Sequence, residues 1–574
     1  MKVILVYKPN EPIVNTQQNI IPNGLLYIGA YLLSKGIDAE IINLYKEPIE
    51  TILNKRPDVI GISCFTFNRH ACINLAKEIR SKDDRVKIVL GGPHASIMYE
   101  QLINLQEIDM IIQNEGEMTF YEVIEALMHG LPIDKIKGLV YKKDGKVINN
   151  GQREPIDLDE LPIPARYFRY KRLITSRGCP GNCIFCDTPC LWGRKLRLRS
   201  AKSVVDEIEL LANKYGQNSF IMSDDTFTFD KNRTIEICRE IIARGLKISW
   251  DCRSRVNFIC EERILWMKKA GCTIISYGIE SGSPQILRAL QKGFDIGQVK
   301  EAARLTRKYG LGLNFYIIVG SPGETDDTIR ETMALIEETK PTSIFTFIMQ
   351  LTPGTQLYDR AKAEGFISDD YWLKQEDDAV FYTREMPMER LVRYAGMIGE
   401  LFRIYKDRFA YKDIKSMEDM SFNDYLNMAQ LEFAHKNLDA CDFQVRKALE
   451  LNPQASSVLM IDATLHAIRK DPACIEIFER SIRSDFENVL SYKNLALFYQ
   501  KELKDEEAKR IVEKAIEIEP ADAGLHKILA LSLIRLKKLD EARDVLKACL
   551  SIDPADKEAA AALKDNQVTT PSSL

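Results

Sequence analysis

The sequence predicts an α/β protein extended by an all-α region: an N-terminal doubly wound Rossmann-like sheet, a central partial (β/α)6 barrel and a C-terminal stack of paired helices. Short apolar runs alternate with amphipathic stretches over the first two thirds of the chain, as in parallel sheets covered by helices. A charged, turn-rich stretch near residue 150 interrupts that alternation once, and the last third repeats with a 34-residue period. At 574 residues the chain is too long for one core, because domains hold roughly 100–200 residues each.

With 45% hydrophobic and 28% charged residues and a formal net charge of −4, the composition is that of an ordinary globular protein. It lacks the basic footprint of a nucleic-acid binder, so no nucleic-acid partner is expected. The apolar run within Met1–Lys8 is shorter than the core of a signal peptide, and no stretch reaches the roughly 18 apolar residues of a membrane span. The expectation is a cytoplasmic protein that is not integral to a membrane. Thiols stay reduced there, so a tight group among the 13 cysteines points to metal or catalysis, and the scattered ones read as small buried hydrophobes.

Residues 1–140 contain five apolar runs: Val3–Tyr7, Ala39–Asn43, Val59–Ser63, Ile88–Gly92 and Met110–Gln113. In an open doubly wound sheet the ligand crevice lies at the carboxyl ends of the strands. The loops there are Lys8–Asn10, Ser63–Phe67, Gly91–His94 and Asn114–Glu117, rich in small residues that let backbone approach a flat ligand. Together with Pro22-x-Gly24-Leu25-Leu26-Tyr27-Ile28-Gly29, they resemble the cobalamin-binding domain of the cobalamin-dependent radical S-adenosylmethionine (SAM) enzymes. That family includes methyltransferases and the anaerobic magnesium-protoporphyrin ester cyclase. The resemblance implies that Ser63, Thr66, Gly91, Gly92, His94, Glu115 and Gly116 hold cobalamin. The Asp-x-His-x-x-Gly motif that supplies a lower histidine ligand is absent, as is common in the radical SAM branch, which weakens a histidine-ligated mode rather than cobalamin binding itself; His94 is the obvious histidine in these loops and the candidate cobalt ligand. A scaffold that only covers the barrel mouth is the competing reading of this domain.

Residues 141–170 read as a linker with one small hairpin, and 171–390 as the catalytic barrel. Here Cys179-Pro-Gly-Asn-Cys183-Ile-Phe185-Cys186 presents three thiols within eight positions after a short apolar strand. Three thiolates on a four-iron cubane leave one iron open to an incoming ligand. A zinc knuckle completed by Cys190 is the alternative. Apolar runs at 220–222, 248–250, 274–279, 315–319 and 344–349 continue the βα alternation, and such barrels gather functional groups at the strands' carboxyl ends.

The cysteine spacing resembles the radical SAM signature, and Asp224-Asp-x-Phe227, Gly278-Ile-Glu-Ser-Gly282 and Thr352-Pro-Gly-Thr355 resemble further segments of that family. The resemblance implies a [4Fe–4S] cluster on Cys179, Cys183 and Cys186, with SAM chelating the open iron. Phe185, Ser223, Asp224, Arg255 and Glu280 would line the SAM site, Glu280 at its amino or ribose end and Arg255 at its carboxylate. It also implies a flavodoxin- or ferredoxin-type reductant, a deoxyadenosyl radical, and most often methylation of an unactivated carbon. Cyclisation, rearrangement and carbon–carbon coupling use the same parts. The substrate, whether small molecule, lipid or peptide, stays open.

Residues 391–420 read as linker helices, 421–565 as repeats and 566–574 as a disordered tail. Ala448-Leu-Glu-Leu-Asn-Pro453, Ala515-Ile-Glu-Ile-Glu-Pro520 and Cys549-Leu-Ser-Ile-Asp-Pro554 share a register that resembles the tetratricopeptide repeat, with a degenerate copy ending near Phe486. Such stacks bind protein partners or pack against an enzyme. The contrasting function class is an interaction protein with a vestigial core, whose cysteine motif would be broken; here it is intact.

Overall fold

The computed structural model describes residues 1–10, 19–45, 47–374, 379–406 and 420–567. They form two compact units, one carrying both predicted sheets and one carrying the repeats.

In the first unit, β1 (Lys2–Tyr7), β2 (Asp38–Asn43), β3 (Val59–Ser63), β4 (Lys87–Gly91) and β5 (Met110–Ile112) run parallel in the order β2-β1-β3-β4-β5. The order reverses direction between β1 and β3, which makes their carboxyl ends the natural crevice. β1 and β3 are buried along almost their whole length, as central strands covered on both faces must be. The hairpin expected in the linker forms, and it belongs to this sheet: β6 (Leu139–Lys143) pairs antiparallel with β5, and β7 (Lys146–Asn149) with β6. Asp144 and Gly145 both have positive φ, the two-residue turn whose twist matches that of its strands.

The second sheet comprises β8 (Arg172–Leu173), β11 (Ser219–Met222), β12 (Ser249–Ser254), β13 (Cys272–Glu280), β14 (Gly312–Val319) and β15 (Ser343–Ile348), in sequential order. Their pairing is the predicted partial barrel; among the described residues no strand joins β15 to β8. A separate short pair, β9 (Ser176–Arg177) with β10 (Arg197–Leu198), brackets the cysteine loop. β12 runs past the apolar run that announced it because Trp250, Cys252 and Ser254 face the core while Asp251 and Arg253 alternate onto the other face.

The second unit stacks four helical hairpins: Phe422–Ala434 with Leu438–Leu451, Ser456–Ile468 with Cys474–Ser484, Val489–Lys501 with Asp505–Ile518, and Ala523–Arg535 with Leu539–Ile552, followed by Lys557–Gln567. Equivalent positions carry Cys441, Cys474, Ala508 and Ala542, and again Ala448, Ser481, Ala515 and Cys549, all fully buried. Small side chains are what the close helix approach demands, so these cysteines are packing residues. Of the linker expected at 391–420, the helix Met388–Lys406 is formed and 407–419 lie outside the described residues; of the tail expected from 566, residues 566 and 567 close the last helix and 568–574 lie outside. No helix among the described residues is long and apolar enough to cross a membrane.

Each hairpin turns through one left-handed residue that is not glycine: Lys436, Lys470, Leu503 and Lys537. Glycine adopts this conformation without the Cβ clash that other residues carry. Leu503→Gly also removes a side chain that is 78% exposed, so little packing is lost. The substitution should raise hydrogen-exchange protection of Val489–Lys501 and Asp505–Ile518 by up to about 1 kcal/mol; unchanged or lower protection would contradict this account of the turn.

Candidate active site

The cysteine loop is held at its root. Between β8 and β9 the chain bends, and the Asp224 carboxylate, 1% exposed at the end of β11, accepts from Thr175 N at 2.6 Å, Ser176 N at 3.1 Å, Thr175 Oγ1 and Ser176 Oγ. Arg233 donates to the carbonyls of Thr175 and Arg199, each at 2.6 Å, and Arg199 donates to the Ile174 carbonyl at 3.0 Å and to Glu207. Asp224 therefore serves the root of the loop with all four of these bonds, which gives its carboxylate a positioning role.

Along the loop, Gly181 N donates to Cys179 Sγ and Arg255 Nη1 to Cys183 Sγ, both at 3.4 Å. Thr226 Oγ1 lies 3.5 Å from Cys179 Sγ. Amide and guanidinium donors aimed at sulfur stabilise thiolates and tune a cluster's potential. Burial pushes the Cys186 thiol up to about 11 against the hydrogen bonds from Thr188, so iron binding there must displace a proton. Cys190 is engaged elsewhere, its thiol 2.6 Å from the Gly354 carbonyl, which it can approach only as a donor. That contact argues against a zinc knuckle completed by Cys190.

At the far ends of the strands, Glu280 has φ +66° within a bulge of β13, where the register with β14 shifts. Its carboxylate folds back over Gly278, on which a Cβ would stand 2.6 Å from Glu280 Oε1. Lys292 Nζ lies 3.0 Å from the same oxygen, and both side chains are buried. The Phe185 ring, half-buried, sits 5.6 Å from that ammonium. Ser223 is half-buried at the end of β11, its backbone N–H bonded to Leu173 O. At the end of β14, Glu324 turns back to accept from Gly320 N and Ser321 N, and burial pushes its carboxyl up to about 7 against those two bonds.

The crevice at the first sheet is a cleft of about 290 Å³. Ser63, Gly91, Gly92, Glu115 and Gly116 line it, as expected, with Gly24, Tyr27 and Glu117 beside them. Gly92 has φ +94° and a Cβ on it would meet the Cys64 carbonyl at 2.9 Å, so no other residue fits that turn. Thr66 and His94 are not among the lining residues. His94 is 1% exposed, its Nδ1 3.2 Å from Thr66 Oγ1 and its ring edge-on to Trp372 at 6.0 Å. Burial, then the charges of Arg69 and His70, push it down to about 3, so the ring is a neutral imidazole, and it packs outside the lining of the cleft.

Opposite the first sheet, the cleft is walled by Ile174, Arg177, Leu191 and Trp192. Arg177, which directly precedes Gly178-Cys179, pairs with Glu117 at 2.5 Å and Glu115 at 3.1 Å, and its guanidinium lies 5.2 Å from the Tyr27 and Trp192 ring centroids. Arg197 joins Glu115 from β10. Burial pushes the Glu115 carboxyl up, but Arg197 and Arg177 outweigh it and hold the group below its usual value. The sequence reading missed Arg177 and Trp192, although a buried arginine beside a metal loop needs acidic partners and Glu115-Gly-Glu117 offers two. It also missed Lys292, which has no periodic signal.

The radical SAM superfamily profile matches residues 173–336, the B12 binding domain profile residues 12–124 and a tetratricopeptide repeat profile residues 528–556. An uncharacterised methyltransferase, PH0819, of Pyrococcus horikoshii is 33% identical over 426 residues, 70% of this chain and 91% of that one. The chain belongs to the cobalamin-dependent radical SAM enzymes. The anaerobic magnesium-protoporphyrin IX monomethyl ester cyclase of Rubrivivax gelatinosus is 30% identical over 350 residues, 56% of this chain and 62% of the cyclase. Among solved structures, the radical SAM methyltransferase TsrM from Kitasatospora setae, with cobalamin and a [4Fe–4S] cluster bound, shares the fold at TM-score 0.54 and 20% identity, covering 63% of this chain and 78% of that one.

The family's cofactors are a [4Fe–4S] cluster, SAM and cobalamin. The residues present fit them: three thiols in one loop, two of them with N–H donors on their sulfurs, suit the cluster, and a glycine-lined, mainly apolar cleft at strand ends suits a flat macrocycle.

If Asp224 holds the loop, Asp224→Asn, which turns an NH2 toward donors, should cost about 2 kcal/mol of loop stability. Iron content after anaerobic reconstitution should fall. An intact cluster with weakened SAM binding would instead make Asp224 a SAM ligand.

Proposed function

We propose that the chain is a cobalamin-dependent radical SAM methyltransferase acting on an unactivated carbon. The observation that carries this reading is the shared wall of the cleft: Ile174, Arg177, Leu191 and Trp192 bracket the cysteine loop and face the crevice of the first sheet. When bound, the cluster and SAM supply hydrogen abstraction and the corrinoid supplies a methyl group. In this reading Cys179, Cys183 and Cys186 hold the cluster, Gly181 and Arg255 stabilise its sulfurs, and Arg255 also takes the SAM carboxylate. Glu280 takes the polar end of SAM beside Phe185 and Ser223, while Ser63, Gly91, Gly92, Glu115 and Gly116 cradle the corrinoid. Asp224 acts behind the loop, and Thr66 and His94 act behind the cleft.

The inner face of the barrel supports a substrate with an apolar body. Gly278 stands opposite Tyr316, Tyr316 opposite Phe345 and Ile318 opposite Phe347, so these side chains share the face over which the Glu280 carboxylate lies. Phe345 and Phe347 are 43% and 50% exposed, with ring contacts of 5.4 and 6.0 Å to Tyr316. A flavodoxin or ferredoxin would deliver the electron in the cytoplasm, and the repeat unit would hold the substrate or a protein partner. Ring closure, the activity named for the Rubrivivax relative, is the second outcome; the mass of the product separates it from methyl transfer.

Two substitutions test the halves separately. Cys183→Ala should abolish both the cluster and reductive SAM cleavage, measured as deoxyadenosine. Gly91→Val places a branched side chain in the cleft, where a Cβ has only Ile112 O at 3.8 Å. It should weaken hydroxocobalamin binding at least about tenfold, or about 1.4 kcal/mol, with the cluster retained. Unchanged corrinoid uptake would move cobalamin out of this cleft.

A further inference from the structure

Lys292 lies in the turn between the helices Pro284–Ala289 and Ile296–Lys308, flanked by the left-handed residues Gln291 and Gly293. It is 4% exposed. A lysine is rarely that buried, because its ammonium loses hydration that only a well-placed partner restores. Lys292 has such partners: Glu280 Oε1 at 3.0 Å and the ring centroids of Phe185 and Phe294 at 5.6 and 5.5 Å.

The same turn grips the cysteine loop through backbone and side chain. Ile184 N donates to Leu290 O at 3.3 Å, Asn182 Nδ2 to Gln291 Oε1, and Arg255 Nη2 to Lys292 O. Arg255 then reaches Cys183 Sγ with its other nitrogen while its guanidinium lies 5.4 Å from the Phe294 ring. Glu280 itself is costly to hold, since a non-glycine residue at positive φ stores strain that persists only where the surroundings impose it.

We propose that Lys292 is a positioning residue for SAM: its ammonium aims the Glu280 carboxylate and its carbonyl aims Arg255, so that one turn sets both groups that receive SAM against the cluster loop. The inference rests on the radical SAM reading above and assigns a residue to it that no signature motif includes. The pair is geometrically specific, because the carboxylate is confined by Gly278 beneath it and by the ammonium beside it.

The test uses the full-length protein, anaerobically reconstituted, with Lys292→Met and Lys292→Arg. Iron content and the spectrum of the reduced cluster without SAM report on the loop; SAM titrations followed by electron paramagnetic resonance report on the site. Lys292→Met should retain iron and the SAM-free spectrum, while the SAM concentration giving half of the spectral change rises at least about tenfold. Lys292→Arg should recover most of that loss. In a Glu280→Gln background, Lys292→Met should have little further effect, because the partner is already neutral. Wild-type SAM response in Lys292→Met, equal loss in Lys292→Arg, additive effects in the double variant, or loss of iron would each overturn the assignment. A wild-type protein with no spectral response to SAM would instead overturn the radical SAM reading itself.

Discussion

The site depends on one buried arginine. Arg177 is fixed by Glu115 and Glu117 of the first sheet and by the rings of Tyr27 and Trp192, and the next residues are Gly178 and Cys179, the first of the three loop cysteines. With Arg197 the group holds two guanidiniums against two carboxylates, so the buried charge balances. Removing one member of such a group leaves an uncompensated charge and costs about 3–5 kcal/mol. The loop is thereby referenced to the crevice of the other sheet as well as to its own strand. Asp224, Arg199 and Arg233 complete the frame from behind.

This division of labour explains what was legible in the sequence. Strand runs and the 34-residue period are local patterns, and each appears in the structure as sheets and helical hairpins. The glycines at strand ends were legible for the same reason, since a turn that requires φ +94° at Gly92 leaves its mark on one residue. What was not legible is pairing across long separations. Arg177 and Glu117 lie 60 residues apart, and Asp224 and Thr175 lie 49 apart, so neither role follows from neighbours in the chain. Asp224 could be recognised as part of a motif, but the direction of its carboxylate could not. His94 shows the converse: the turn at Gly92 is where it was expected, but His94 itself lies in the short helix Pro93–Ile97 and its ring packs beside Trp372 in the core.

The cysteines show how one residue type serves two ends. Three sit in one loop, where N–H donors reach the sulfurs of Cys179 and Cys183. Cys441, Cys474 and Cys549 occupy the positions that Ala508, Ala542 and Ala515 hold in neighbouring repeats, where only size matters. Burial alone does not separate the groups, because Cys183 is buried too. The kind of polar group at the sulfur does: N–H donors reach Cys179 and Cys183, whereas the thiols of Cys441 and Cys549 donate to the carbonyls of Ala429 and Ala523.

The second sheet ends at β15 on one side and β8 on the other, with no described strand between them. A sheet whose two end strands are not laddered together keeps two free edges, so the spacing of those edges is set by what packs against them and not by backbone hydrogen bonds.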